Sequence, residues 1–196
     1  MTTTDVPPVP ARQRMRSEDR REHLLDEAAH LVVGQGLAAM SMERLAEAAG
    51  VSKALPYKHF DNVEDVLVAL YRRETTALGR AVWRALSTAG PGEDLVRISV
   101  RTYFDELTGR GPVLTALSAP GASVPALADP GGAGVRFSVE VLQRFHGLER
   151  ARAETVGGMV QGAIVGAAGT WLLRTARRRD LEDVLVAMIR TAIHGG

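Results

Sequence analysis

The side chains best placed for chemistry fall between residues 52 and 59, where Ser52, Lys53, Tyr57, Lys58 and His59 are gathered in one short stretch. Lys53, at its start, can reach a base edge or a phosphate. Ser41 and Ser52 open predicted helices, where their hydroxyls and the neighbouring free amides can donate to phosphate oxygens. Catalytic chemistry is harder to assemble. His23, His30, His59, His146 and His194 are scattered, and the seven-residue spacing of His23 and His30 is a weak metal spacing. No Gly-rich phosphate loop follows a strand, and there is no nucleophile elbow and no His-Glu-x-x-His helix. The paired carboxylates Glu64-Asp65 and Glu182-Asp183 stand at helix starts, where the helix dipole accounts for them. These readings name no catalytic residue, no metal ligand and no cofactor.

Two short amphipathic helices must position the 52–59 stretch. Met42, Leu45, Ala46 and Ala49 follow i, i+3, i+4, i+7 spacing on one helical face. Ser41 is a suitable N-cap, and Met40 and Leu45 form a hydrophobic staple. Gly50 stops the helix, Val51 plugs the core and Ser52 caps the next one. A brief helix braced across another in this way is the helix-turn-helix device that presents side chains to the major groove. Pro56 removes a backbone donor and disfavours the helical conformation at Leu55, so the second helix is expected to be short or distorted.

These residues resemble the tetracycline-repressor (TetR) family. The likeness is carried by Leu24-Leu25-Asp26-Glu27-Ala28-Ala29, Gly36, Ser41, the Ala48-Ala49-Gly50-Val51-Ser52 run, Tyr57 and the His59-Phe60 pair, in order. It covers about residues 20–67. Pro56 stands where the family usually has an aliphatic residue, and Val63 where it often has a lysine. The resemblance implies an all-α protein of about nine helices. It would comprise a homeodomain-like, three-helix DNA-binding domain and a C-terminal helical domain for ligand binding and dimerisation. It places Tyr57 and His59 against the DNA backbone with Lys58 nearby. The candidate DNA-binding set is Ser41, Ser52, Lys53, Ala54, Leu55, Tyr57, Lys58 and His59; Phe60 is read as core.

Length and composition fit this outline. The chain has 196 residues, 45% of them hydrophobic, enough for a packed helical core. It has no cysteine, hence no disulfide and no thiolate metal site. The N-terminus lacks the apolar core of a signal peptide, and the Gly-rich run from Val156 to Leu173 reads as a buried helix and not a membrane span. A cytoplasmic protein is expected. Residues 1–66 hold 8 Lys and Arg against 11 Asp and Glu, a balance of −3. DNA attraction would then depend on local placement, with Glu22, Asp26 and Glu27 turned away from the reading face. Residues 1–16 read as a disordered tail; Arg12, Arg14, Arg16, Arg20 and Arg21 make it either a solvated entry to a helix or an arm on the duplex.

The remaining periodicity is helical. A first helix runs from Ser17 or Glu18 to Val33. A fourth is capped at Asn62, with an inner stripe of Val66, Leu67, Leu70, Glu74, Ala77, Leu78, Ala81, Val82 and Ala85. A fifth follows Leu95 to Leu107 and is broken at Gly109 and Gly111-Pro112, with a short sixth over Val113–Leu117. Ser118–Gly134 reads as a loop with at most one helical turn near Pro125–Leu127. Helices over Val135–His146, Glu149–Arg177 and Leu181–Ile193 complete the chain, the last capped by Asp180. The domains are expected at 17–66 and 67–196.

The resemblance further implies that the last two helices pair with their copies in a homodimeric four-helix bundle, through Gly158, Gly162, Gly166, Leu185, Met188 and Ile189. The glycines could instead fit the subunit's own core. It also implies an effector pocket lined by Trp83, Tyr103, Phe104, Leu107, Leu117, Phe137 and Met159, suited to an apolar or amphipathic small molecule. The expected partners are a double-stranded DNA operator, that effector and a second copy of the chain, with no membrane. The expected function is a transcriptional regulator, a repressor released from a palindromic operator by the effector. The alternative is a helical protein-interaction module that has lost specific DNA binding.

Overall fold

A computed structural model describes residues 17–117 and 132–195. Among these residues there are seven α-helices, two 3-10 turns and no strand. The basic tail with Arg12, Arg14 and Arg16, and nearly all of the loop expected before Gly134, lie outside the described residues.

Helix α1 (Ser17–Gln35) buries Leu24, Leu25, Ala28, Leu31 and Val32 and ends at Gly36, whose φ of 80° suits a residue without a Cβ. A 3-10 turn over Leu37–Ala39 leads to α2 (Met42–Ala48). Ser41 caps α2 by accepting from the Arg44 amide at 3.1 Å. Gly50, at φ 62°, closes it, and the Val51 amide donates back to the Ala46 carbonyl at 3.0 Å. Helix α3 (Val63–Thr88) starts where Asn62 accepts from the Asp65 amide at 3.0 Å. Its buried stripe is Val66, Leu67, Leu70, Glu74, Leu78, Val82 and Leu86. The stripe therefore leans toward Leu86, and Ala77, Ala81 and Ala85 flank it.

The expected break between a fifth and a sixth helix does not occur. Helix α4 (Leu95–Leu117) runs unbroken with Pro112 inside it. A mid-helix proline costs about 3 kcal/mol, and packing on both sides offsets it. Leu107 and Gly111 are buried before the proline, and Leu117 is fully buried after it. Each such leucine contributes roughly 1.5–3 kcal/mol. Gly111 lets Leu172 pack close, since a Cβ there would lie 2.6 Å from Leu172 Cδ2 and the leucine side chain would have to shift.

Helix α5 (Ala133–His146) ends at Gly147, φ 68°, and α6 spans Arg150–Leu172. Helix α6 stops before Arg177, the expected end, because Arg174 turns left-handed (φ 56°) and the Thr175 amide donates to the Thr170 carbonyl. Helix α7 (Arg178–His194) accordingly begins earlier than expected, with Arg177 in the capping position and Asp180 inside the first turn. Arg178 holds that start by donating to Glu182 at 2.5 Å and to Asp105 of α4 at 2.6 Å.

Two large apolar clusters and a smaller one fill the fold. The first joins α1, α2, Phe60 and the start of α3, and Leu117 from the end of α4 completes it. The second packs α4 against α5, α6 and α7 around Phe104. The third lies along the middle of α3, where Leu78, Val82 and Leu86 meet Leu107 and Ala168. Helix α3 thus carries α1 and α2 at one end and the helical body along the rest.

Candidate nucleic-acid interface

The segment after α2 is not an α-helix. Residues 53–55 form turns and Pro56–Lys58 a 3-10 turn. The first α-helical bond of a helix opened by Ser52 would run from the amide of residue 56 to the Ser52 carbonyl, and proline has no amide to give. The bonds formed up to His59 are one residue shorter, Leu55 to Ser52 at 2.9 Å, Lys58 to Leu55 at 3.0 Å and His59 to Pro56 at 3.0 Å, and only the Phe60 amide reaches back four residues, to Pro56 at 3.0 Å. The expectation of a distorted helix takes this concrete form.

The tight turn still sorts its side chains cleanly. Pro56 and Phe60 are buried and root the segment in the N-terminal core. Ser52, Lys53, Ala54 and Lys58 are exposed, and Tyr57 is 53% exposed. Leu55 and His59 are half-buried, His59 tilting against Phe60 with ring centroids 6.5 Å apart. Ser41 is half-buried at the start of α2, its hydroxyl oxygen engaged as the cap. Helix α1 braces the turn from behind: the Arg21 guanidinium lies 5.1 Å over the Phe60 ring, and His23 Nε2 donates to the Ala49 carbonyl at 3.2 Å. Arg20 and Arg21 are therefore helical residues, and Arg21 is tied into the domain.

The negative balance of the N-terminal region is locally managed. Asp26 and Glu22 accept from Arg73 of α3 at 2.7 and 3.5 Å, and Glu27 lies 3.7 Å from His30. Sequence reasoning overlooked Arg44, an exposed cation in the first turn of α2 that donates to Gln35. Its place three residues after the Ser41 cap was the available signal.

In the helical body, five of the seven proposed effector residues share the packed region between α3, α4, α5 and α6. Trp83 meets Phe145 edge-on at 5.1 Å and Phe137 at 6.5 Å. Phe104 packs edge-on against Trp171 at 5.6 Å and Tyr103 at 5.9 Å, and Leu107 is buried beside Leu78 and Val82. Burial, with Tyr71 close by, pushes the Tyr103 hydroxyl up to about 12. Two residues are elsewhere. Leu117 belongs to the N-terminal cluster, since the unbroken α4 carries it there, and Met159 faces outward, 68% exposed. Two surface clefts also open on the helical body, the first at the edge of this region. One, of about 450 Å³, is lined by Trp171 and residues 174–178; the other, of about 320 Å³, lies between His146 and His194. Burial, followed by the neighbouring His194, lowers the pKa of His146.

The two last helices differ from the expected dimer set in a definite way. Gly158, Gly162 and Gly166 lie open on α6, where an added Cβ would meet nothing within 4 Å. Leu185 and Ile189 are buried in the subunit's own core, because α7 turns that face to α4 and α6. The exposed apolar residues of α7 are Val184 and Met188, which with Met159 and Val165 of α6 stand free in the single chain.

Comparison with known proteins agrees with this geometry. Residues 24–70 match the family described as bacterial regulatory proteins, tetR family. The chain is 33% identical over 92 residues to the HTH-type transcriptional activator FasR of Mycolicibacterium smegmatis, covering 47% of this chain and 42% of FasR. It is 33% identical over 114 residues to the HTH-type transcriptional repressor KstR2 of Rhodococcus jostii, covering 51% and 56%. The chain thus spans about half the length of the curated relatives it matches. The fold is similar to that of the fatty acid degradation regulator FadR from Bacillus halodurans, with a TM-score of 0.69 at 17% identity over 87% of this chain and 94% of that one. No helix among the described residues is long and apolar enough to cross a membrane. The tetR-family match is seated on the domain that carries the exposed 52–58 turn, and it is over this stretch, residues 24–70, that the chain is similar to the tetR family of bacterial regulatory proteins.

Proposed function

We propose that the chain is a dimeric transcriptional regulator that binds a palindromic DNA operator as a repressor and releases it on binding a small apolar or amphipathic molecule. The observation that carries the reading is the 52–58 turn. Ser52, Lys53, Ala54, Tyr57 and Lys58 are presented to solvent while Pro56 and Phe60 hold the turn from within. One such turn spans only a few base pairs, so two copies on a two-fold axis are needed to read two half-sites. The open glycines of α6, with Met159, Val165, Val184 and Met188, supply a face on which a second copy can sit. Gly158, Gly162, Gly166 and Met188 stay in the proposed dimer set; Leu185 and Ile189 support it from behind.

Trp83, Tyr103, Phe104, Leu107 and Phe137 remain the effector candidates. They lie where the α3–α4 packing is set, so a ligand entering among them would alter the tilt of α3. One structural neighbour is described as a fatty acid degradation regulator, which agrees in kind with an apolar ligand. A ligand that prefers the DNA-free state about 100-fold shifts the balance by roughly 2.7 kcal/mol.

Selection of bound fragments from genomic DNA, followed by mobility shift on the recovered duplexes, tests the reading. Recovery of inverted repeats bound by a dimer is expected; a chain that retains no duplex above background overturns it. A helical protein-interaction module is favoured by one observation, the 3-10 turn in place of a recognition α-helix. The same selection decides between the two.

A further inference from the structure

Glu74 sits in the middle of an apolar stripe, between Leu70 and Leu78, and is only 5% exposed. A leucine there would complete the stripe, and burying a carboxylate instead is costly unless it is paired. It is paired twice. Oε1 accepts from Arg73 Nε at 2.9 Å and Oε2 accepts from Arg110 Nη1 at 2.7 Å. Each guanidinium then reaches further. Arg73 Nη1 donates to Asp26 of α1 at 2.7 Å and lies 3.5 Å from Glu22, while Arg110 Nε donates to Glu106 at 3.2 Å. Burial works against the charge of Arg110, but Glu74 and Glu106 outweigh it and hold the guanidinium above its ordinary value.

The chain of contacts runs from α1, through the Arg73-Glu74 pair on α3, to Arg110 on α4. It therefore joins the helix that braces the 52–58 turn to the helix that carries Tyr103, Phe104 and Leu107. Apolar packing between the same helices is non-directional and tolerates sliding, whereas guanidinium–carboxylate bonds hold only one axial and rotational register. Replacing such a buried set with apolar side chains is often neutral or stabilising, so stability alone does not explain its presence.

From this geometry we infer that Glu74 and Arg110 are positioning residues that pin the N-terminal domain to the helical body at one angle. In the proposed dimer, that angle sets the separation of the two reading turns. The functional consequence rests on the DNA-binding reading; the pin itself does not.

The absence of cysteine allows a direct test. Spin labels at Glu47→Cys and Glu140→Cys, both exposed, report the distance between the domains when labelled chains are diluted into an excess of unlabelled ones. The wild-type background is expected to give a narrow distribution. Glu74→Leu combined with Arg110→Met completes the apolar stripe; its thermal midpoint is expected to hold or rise while the distribution broadens. On duplexes recovered by the selection, the same double variant without labels is expected to bind about 5-fold or more weakly, with an unchanged salt slope, because every phosphate-facing side chain is kept. Glu74→Gln alone gives a second, less invasive reading of the same broadening. A narrow, wild-type distribution in the double variant overturns the pin. Failure of the wild-type chain to bind any duplex overturns the DNA reading and leaves the distance measurement to decide the pin.

Discussion

Helix α6 carries glycines on two faces, and alanine substitutions on them are expected to act in opposite senses. At Gly162 an added Cβ meets nothing within 4 Å inside the subunit. Gly162→Ala should therefore stabilise the isolated fold by about 0.5–1 kcal/mol, the intrinsic helix preference of Ala over Gly. At Gly157, one face round, a Cβ would lie 2.8 Å from Val139 Cγ2 and 3.2 Å from the Val139 amide nitrogen. The backbone cannot move aside as a side chain can, so Gly157→Ala should cost roughly 1–3 kcal/mol through overpacking. If the open face receives a second copy at close approach, Gly162→Ala also adds two methyls to the interface. At about 1 kcal/mol per copy the dimer loses roughly 2 kcal/mol, a dissociation constant about 30-fold higher. Urea unfolding at chain concentrations below dissociation measures the first effect, and sedimentation velocity across a concentration series measures the second. A Gly162→Ala chain that is stabilised and dimerises as tightly as wild type refutes the close-approach argument for this face.

Other expected outcomes concern the reading turn and the body. Lys53→Ala with Lys58→Ala should weaken duplex binding and reduce the slope of log affinity against log salt by roughly 0.9 for each phosphate no longer neutralised; an unchanged slope in a salt titration would remove both lysines from the interface. Phe104→Ala should cost about 3–5 kcal/mol, since the ring is fully buried against Trp171 and Tyr103, which denaturant unfolding would register as a large fall in midpoint at constant slope. The lowered pKa of His146 means the folded state favours its neutral form. Its contribution is present above the ordinary histidine value near 6.5 and is lost as pH falls through the depressed one. His146→Gln should accordingly flatten the loss of thermal midpoint between neutral and mildly acidic pH, and parallel curves for the two chains would contradict this.

Several elements were legible because their determinants are local. Ser41 and Asn62 cap α2 and α3 as read, since a cap needs only a short polar side chain and a free amide three residues on. Pro56 announced the distorted turn because a missing amide is a property of one residue. The stripe of α1 appeared as expected, since its 3.6-residue period is written in residue type alone. The errors fall where distant contacts compete with local rules. Gly111-Pro112 reads as a break, yet burial of Leu107, Gly111 and Leu117 carries α4 through it. Met159 and Leu117 are apolar like the other effector candidates, but Met159 faces solvent and Leu117 the N-terminal core.

The chain by itself determined which segments coil into helices, where α2 and α3 are capped, and the order of the helix-turn-helix residues, because those depend on backbone donors and on spacing within a few residues. The tertiary structure decided which face of each helix is spent inside the subunit. Leu185 and Met188 lie three residues apart on one amphipathic helix, and only the packing of α7 on α4 and α6 buries the first and leaves the second free. Glu74 was legible on the inner stripe of its helix, but its partners were not, since Asp26, Arg73 and Arg110 join it in one charged network only when three helices come together.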